Sequence, residues 1–207
     1  MELLIRVSEG LDRVIIKVGR VAAWAGLALI LVTIFDVVTR RFFVLGSTKL
    51  QELEWHFHAI LFSFCLGYAY LKDAHVRIDL VREKLSERTQ WWIEIAGCLL
   101  FLLPFCSLVI WYGIDFTARS FATNEISASA TGLTHRWLIK SVIPIGFTLL
   151  ALSGITTLLR KIVELFGPEN LSHKIHDIED AEVEHLDDML PRDMRRHQEG
   201  SQNGEPH

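Results

Sequence analysis

LQELEWHFHAILFSFCLGYAYLKDAHVRIDL, residues 50–80, is the stretch on which the fold turns. It opens on two acids, Glu52 and Glu54, continues through an apolar run at 55–71, and leaves through the charged turn Lys72-Asp73-Ala74-His75. At about 1.5 Å per helical residue the apolar run barely crosses a hydrocarbon core of roughly 30 Å. Ala59, Ser63 and Gly67 recur every fourth residue, so small side chains line one helical face where a neighbouring backbone can come close. A short helix with a small-residue face, polar at both ends, suits burial inside an assembly.

Upstream, residues 21–38 are the first clear span, with Ala22 and Gly26 as a modest close-packing face. Asp36 stands near its far end, and Arg40 follows one turn later, at the spacing of a helical ion pair. An acid inside a span marks a functional site by default, but beside the interface and Arg41 the pair also reads as structural. Residues 1–20 carry Leu4, Val7, Leu11, Val14 and Val18 at alternating spacings of three and four, with charges between them. That pattern predicts an amphipathic helix at the membrane surface or against a partner helix. The long polar lead, its mixed acids and the lack of a small-residue cleavage site argue against a signal peptide.

Downstream, Ile78, Val81 and Leu85 share a face, which predicts a short surface helix. Trp91 and Trp92 mark an interface, and residues 93–114 are the third span, closed by Trp111 and Tyr112. Pro104 near its middle predicts a kink. Residues 115–137 read as a long outward loop of the kind that often binds partners, and residues 138–159 as the fourth span, containing Pro144. Eleven Lys and Arg fall on one side of these spans and six on the other, which places both termini in the cytoplasm. The expected fold class is therefore an all-α integral membrane protein with four transmembrane helices at 21–166, preceded by the surface helix at 1–20.

Charge is segregated along the chain. Residues 167–207 sum to −7 and the first 166 residues to +3. The acidic tail has no aromatic residue and few large apolar ones, so it is expected to be largely disordered, with a helical turn or two around 175–190. Its five His are irregularly spaced and predict no metal tract. Cys65, Cys98 and Cys106 lie in apolar runs without ligand spacing and read as small buried hydrophobes.

No phosphate-cradling Gly loop, nucleophile elbow or HExxH is present. His56 and His58 project about 200° apart on a helix and cannot chelate one metal together, and the other spans offer no facing His for a haem. No enzyme activity, cofactor, metal or nucleic-acid partner is expected. Glu52 and Glu54 read either as a proton or cation site or as acids favoured at a helix N-terminus.

With LQELEW at 50–55, LGYAYLKDAHVRIDL at 66–80 and GLTHRWLIKSVIPIGFTLLALSG at 132–154, the chain resembles the small membrane subunit of TRAP (tripartite ATP-independent periplasmic) transporters. Asp36 with Arg40-Arg41 and FLLPF at 101–105 fit the same pattern, which covers residues 21–160. It is most similar to the mannitol/chloroaromatic-type subgroup. The outward loop ATNEISASATGLTHRW departs from a family tendency to a proline and paired glycines before the RW.

The resemblance implies a separate large permease subunit, a periplasmic solute-binding protein and surrounding membrane lipid as partners. It further implies cation-driven uptake of an organic acid, usually with sodium, across the bacterial inner membrane. On that reading Asp36, Arg40, Glu52, Glu54, Ala59, Ser63 and Gly67 form a subunit interface. Arg119, Asn124, Glu125, His135 and Arg136 face the binding protein, and His75, Arg77 and Asp79 hold the cytoplasmic turn. Gly67→Leu is then expected to uncouple the two membrane subunits while the small one stays inserted. The competing reading is a stand-alone four-span adaptor with no transport role.

Overall fold

A computed structural model describes residues 2–43, 46–72, 86–129 and 131–166. Four helices account for nearly all of them: α1 (Glu2–Phe43), α2 (Thr48–Leu71), α3 and α4 (Arg136–Phe166). Helix α3 is continuous through three segments, Glu87–Gly97, a π-helical turn at Cys98–Leu102, and Leu103–Ala122. The surface helix expected after residue 72, the turn residues His75, Arg77 and Asp79, and the acidic tail lie outside the described residues.

Helix α4 is the centre. Gly146, Leu149 and Ser153 on one of its faces meet α2, while Pro144 and Phe147 on another meet α3. Helix α1 packs on α2 along much of its length and on the far end of α4 through its first turns. The order across the layer is thus α1, α2, α4, α3.

The small-residue stripe explains the α2–α4 seam. A Cβ placed on Gly67 would lie 2.9 Å from both the Leu149 carbonyl oxygen and Ser153 Oγ, so only glycine permits this approach. Ser153 donates to the Gly67 carbonyl at 2.9 Å, joining two backbones that already touch. Ser63 packs in the same way against Gly146 one turn away. The α3–α4 seam is instead aromatic, with edge-to-face pairs Trp92–Phe166, Phe105–Phe147 and Phe121–Trp137 at 6.4, 5.9 and 5.3 Å.

Three expectations need correction. Residues 2–20 are not a separate element, because no proline or left-handed glycine stops α1 before Phe43. Their buried face is also one residue on from the expected stripe: Ile5, Ser8, Asp12, Ile15, Gly19 and Ala22 are buried, whereas Val7 and Val14 are exposed. Small and polar residues occupy that seam because they let Tyr68 of α2 pack on Gly19 and let Asp12 reach Arg160. Finally, the loop expected from residue 115 begins at 123. Helix α3 runs on to Ala122, supported by the Asp115–Arg119 pair one turn apart and by Thr117 donating to the Gly113 carbonyl at 2.8 Å.

Pro104 is accommodated by a change of helix type. A proline in an α-helix removes one N–H and drives its ring into the carbonyl four residues back. Here Leu103 N–H reaches back five residues to the Cys98 carbonyl, and the wider turn before Pro104 relieves the crowding.

Helices α1, α3 and α4 are each long and apolar enough to cross a membrane. Helix α2 is 24 residues long, but its first turns hold Lys49, Glu52, Glu54, His56 and His58, which leaves 59–71 as its charge-free part. Large side chains such as Trp24, Leu31 and Phe35 on α1 and Phe101, Phe105 and Trp111 on α3 remain exposed, as lipid-facing surface does.

Candidate functional site

The polar groups gather where the 123–135 loop folds back over the start of α2. The loop leaves α3 through a Schellman motif. Asn124 adopts a left-handed φ of 47°, its N–H donates to Phe121 O at 3.1 Å, and Glu125 N–H donates to Ser120 O at 3.0 Å. Asparagine tolerates that conformation better than most residues. The loop then closes on itself, with Ser127 N–H donating to Leu133 O at 3.1 Å and Gly132 N–H to Ser129 O at 3.0 Å. His135, also left-handed at φ 60°, turns the chain into α4.

Glu52 fastens this loop to α2. Its carboxylate accepts from the Leu133 N–H at 2.6 Å and from the Ser127 hydroxyl, and Ser127 Oγ in turn accepts from Ser129 N–H at 3.2 Å. Thr131 and Thr48 meet hydroxyl to hydroxyl at 3.3 Å. Gly132 is required here: any Cβ would collide with Ser127 and with the Glu52 carboxylate. The Leu133 amide, then the Ser127 hydroxyl, hold the Glu52 carboxyl below the usual glutamate range.

A second carboxylate braces the loop's other strand. Glu125 pairs with Lys140 of α4 and lies 4.0 Å from Arg136 Nε. Its pKa is lowered chiefly by the Lys140 hydrogen bond. The Lys140 ammonium also sits 3.8 Å above the centre of the Phe116 ring, a cation–π contact that ties α4 to α3.

Both acids have folded-state pKa values below their unfolded ones. Their stabilisation is therefore complete above the ordinary glutamate pKa and is lost as pH falls through the lowered values. A spin label on Ala128→Cys should be immobile at neutral pH and loosen on acidification through that range. In the Glu52→Ala variant it should be loose already at neutral pH. Mobility indifferent to both changes would show that the clasp does not hold the loop.

The remaining expected site residues separate into three groups. Asp36 is buried and pairs with Arg40, and Gln51, with its amide oxygen turned to the guanidinium, accepts from Arg40 at 3.0 and 3.1 Å. That links α1 to α2. Ser63 and Gly67 are taken up by α4 of the same chain, so they are not available to another subunit, while Ala59 and Glu54 are only half-buried. Arg119 pairs with Asp115 on an exposed face of α3, and Asn124 and His135 are exposed on the loop, whereas Glu125 and Arg136 face each other within it.

The sequence reading missed Asp12 with Arg160, Ser127, Lys140, and the Lys161–Glu164 pair at 2.9 Å. Asp12 pairs with a residue 148 positions away, and its side chain is 4 % exposed. An acid on a helical stripe otherwise made of Ile5, Ser8, Ile15 and Gly19 was the available signal. The neighbouring stripe of Leu4, Val7, Leu11, Val14 and Val18 is more apolar and masks it.

Over residues 29–164 the sequence matches the family described as "Tripartite ATP-independent periplasmic transporters, DctQ component". No curated protein matches it.

Proposed function

The chain belongs to the DctQ family, the small membrane component of TRAP transporters and not an enzyme, and on that premise we propose that it is the fixed scaffold of its transporter. In this reading it holds a separate large permease subunit that carries the transport path. A periplasmic solute-binding protein delivers an organic acid to the outward face, and a cation gradient, sodium by preference, drives uptake. The chain sits in the bacterial inner membrane with both termini cytoplasmic. Helix α2, second in the chain, is the remaining span, short because α1 and α4 cover it. The subgroup reading, mannitol/chloroaromatic-type, is retained on the overall pattern of residues 21–160.

One observation carries the scaffold role. The buried carboxylates join elements of the chain to one another: Asp12 to Arg160, and Asp36 through Arg40 to Gln51. With Glu52 clamping the loop, this is how a body is held still while another domain moves against it. The exposed loop residues Asn124 and His135, with Arg119 nearby on α3, are the proposed docking face for the binding protein. Glu54 and Ala59, both half-buried on α2, are the proposed contact with the large subunit.

Affinity purification through a C-terminal tag in mild detergent tests this. A stoichiometric large hydrophobic subunit is the expected companion, and loss of binding-protein-dependent uptake in an Asn124→Ala/His135→Ala variant is the expected effect at the docking face. A stable homo-oligomer with no large partner would overturn the scaffold reading in favour of a stand-alone adaptor.

A further inference from the structure

The first turns of α1 carry a surface that none of these roles uses. Arg6, Arg13, Lys17 and Arg20 are all exposed. At 100° per residue their spacings of seven, four and three place them within an arc of about 60°. Among the described residues none of the four takes part in an ion pair; Arg13 Nε donates to the Glu9 carbonyl of its own helix at 3.2 Å. Glu2 and Glu9 border the stripe and leave it net positive. Alongside runs an exposed apolar stripe of Leu3, Val7, Val14 and Val21, and both lie away from the seam that buries Ile5, Ser8, Asp12 and Ile15. A basic and an apolar stripe side by side on one exposed helix call for a covering surface that is acidic and apolar.

The same chain supplies one. Val163 of α4 is buried against Ile5, and α4 ends three residues later at Phe166, so the chain leaves α4 next to the first turns of α1. Within them, residues 176–190, HDIEDAEVEHLDDML, hold seven acids and no Lys or Arg. They also hold Ile178, Val183, Leu186, Met189 and Leu190. Nine residues, 167–175, separate Phe166 from this segment, and a chain of that length can reach up to roughly 30 Å. Arg13 is about 12 Å along α1 from Ile5. Reach is not limiting, and a short tether holds the segment at an effective concentration on the order of millimolar.

We propose that residues 176–190 dock on the basic and apolar stripes of α1, so that the acidic C-terminal segment braces the helix that leads into the first span. An anionic membrane would attract the stripe but repel this segment, and the tethered segment competes from within the same molecule. The docked segment covers Val7 and Val14 and neutralises the four cations around them.

Photo-crosslinking of the full chain in native membranes tests the proposal without reference to transport, so its failure is separable from that of the scaffold reading. With Val14→p-benzoylphenylalanine, cross-links should map to residues 176–190 of the same chain. Their yield should fall at least about threefold when salt rises from about 0.1 M to about 1 M and the screening length shrinks from about 10 Å to about 3 Å. Asp187→Lys/Asp188→Lys, which leaves α1 to α4 untouched, should abolish them, and adding Arg13→Asp/Lys17→Asp should restore them. Cross-links that go mainly to lipid, to a second copy or to another protein would overturn the proposal. So would cross-links to the segment that ignore both salt and charge reversal.

Discussion

Gly67→Leu is expected to destroy the folded chain itself, not only its assembly with a partner. The α2–α4 seam has backbone on both sides at this point. Even the Cβ of an alanine would lie 2.9 Å from the Leu149 carbonyl oxygen and 3.0 Å from the Leu149 carbonyl carbon. Backbone cannot step aside as a side-chain tip can, so α2 and α4 must separate. That breaks the Ser153–Gly67 hydrogen bond and the Ser63–Gly146 contact together. Overpacking of this kind costs about 3 kcal/mol or more for leucine. The small subunit purified alone should lose its thermal transition and its protease resistance. Ala59→Leu, at the half-buried start of the same stripe, should change both far less. An unaltered melt with loss of the large subunit would return Gly67 to an intersubunit role.

Asp12→Ala should be the next most damaging change. The Asp12 and Arg160 side chains are 4 % and 10 % exposed, and their contact joins the first turns of α1 to the last of α4. Removing one member of a buried pair typically costs about 3–5 kcal/mol, mostly because the other charge stays buried with less compensation. Replacing both by apolar residues of similar size, Asp12→Leu/Arg160→Met, should recover much of that loss, because neither charge then needs burying. Thermal unfolding of the three forms in one detergent measures the difference. A double variant as unstable as the single one would mean that the pair's geometry, and not the desolvated charge, holds the two ends together.

The sequence reading reached some residues well and others not at all. Glu52 stood out as an acid at a helix start, but α2 begins at Thr48 and holds no acid in its first turn, so Glu52 stands one turn further in. Its partners Ser127 and the Leu133 amide lie 75 and 81 residues away, so no local spacing pointed to them. Asp36 with Arg40 was legible because both sit on one helix, where a spacing of four fixes proximity. Arg119 joins Asp115 for the same reason, but that pairing extends α3 by two turns into what composition alone read as loop. Pro104 was legible as a disturbance and not as a π-helical turn, because a proline excludes one geometry without choosing among those that remain.

By itself the sequence determined that this is an all-helical membrane protein, that its apolar segments lie in helices, and to which family it belongs. Hydrophobic period, span length and turn residues are local quantities, and they survive without knowledge of what packs on what. Only the tertiary structure decided which surface each helix face meets. It gave the stripe of Ser63 and Gly67 to α4 of the same chain, turned α1 by one residue onto Asp12, and closed the loop on Glu52. Small, apolar and charged faces advertise that they need a partner, but the partner is chosen by long-range fit. A one-residue change of seam on a helix rotates it by about 100° and replaces every contact it makes.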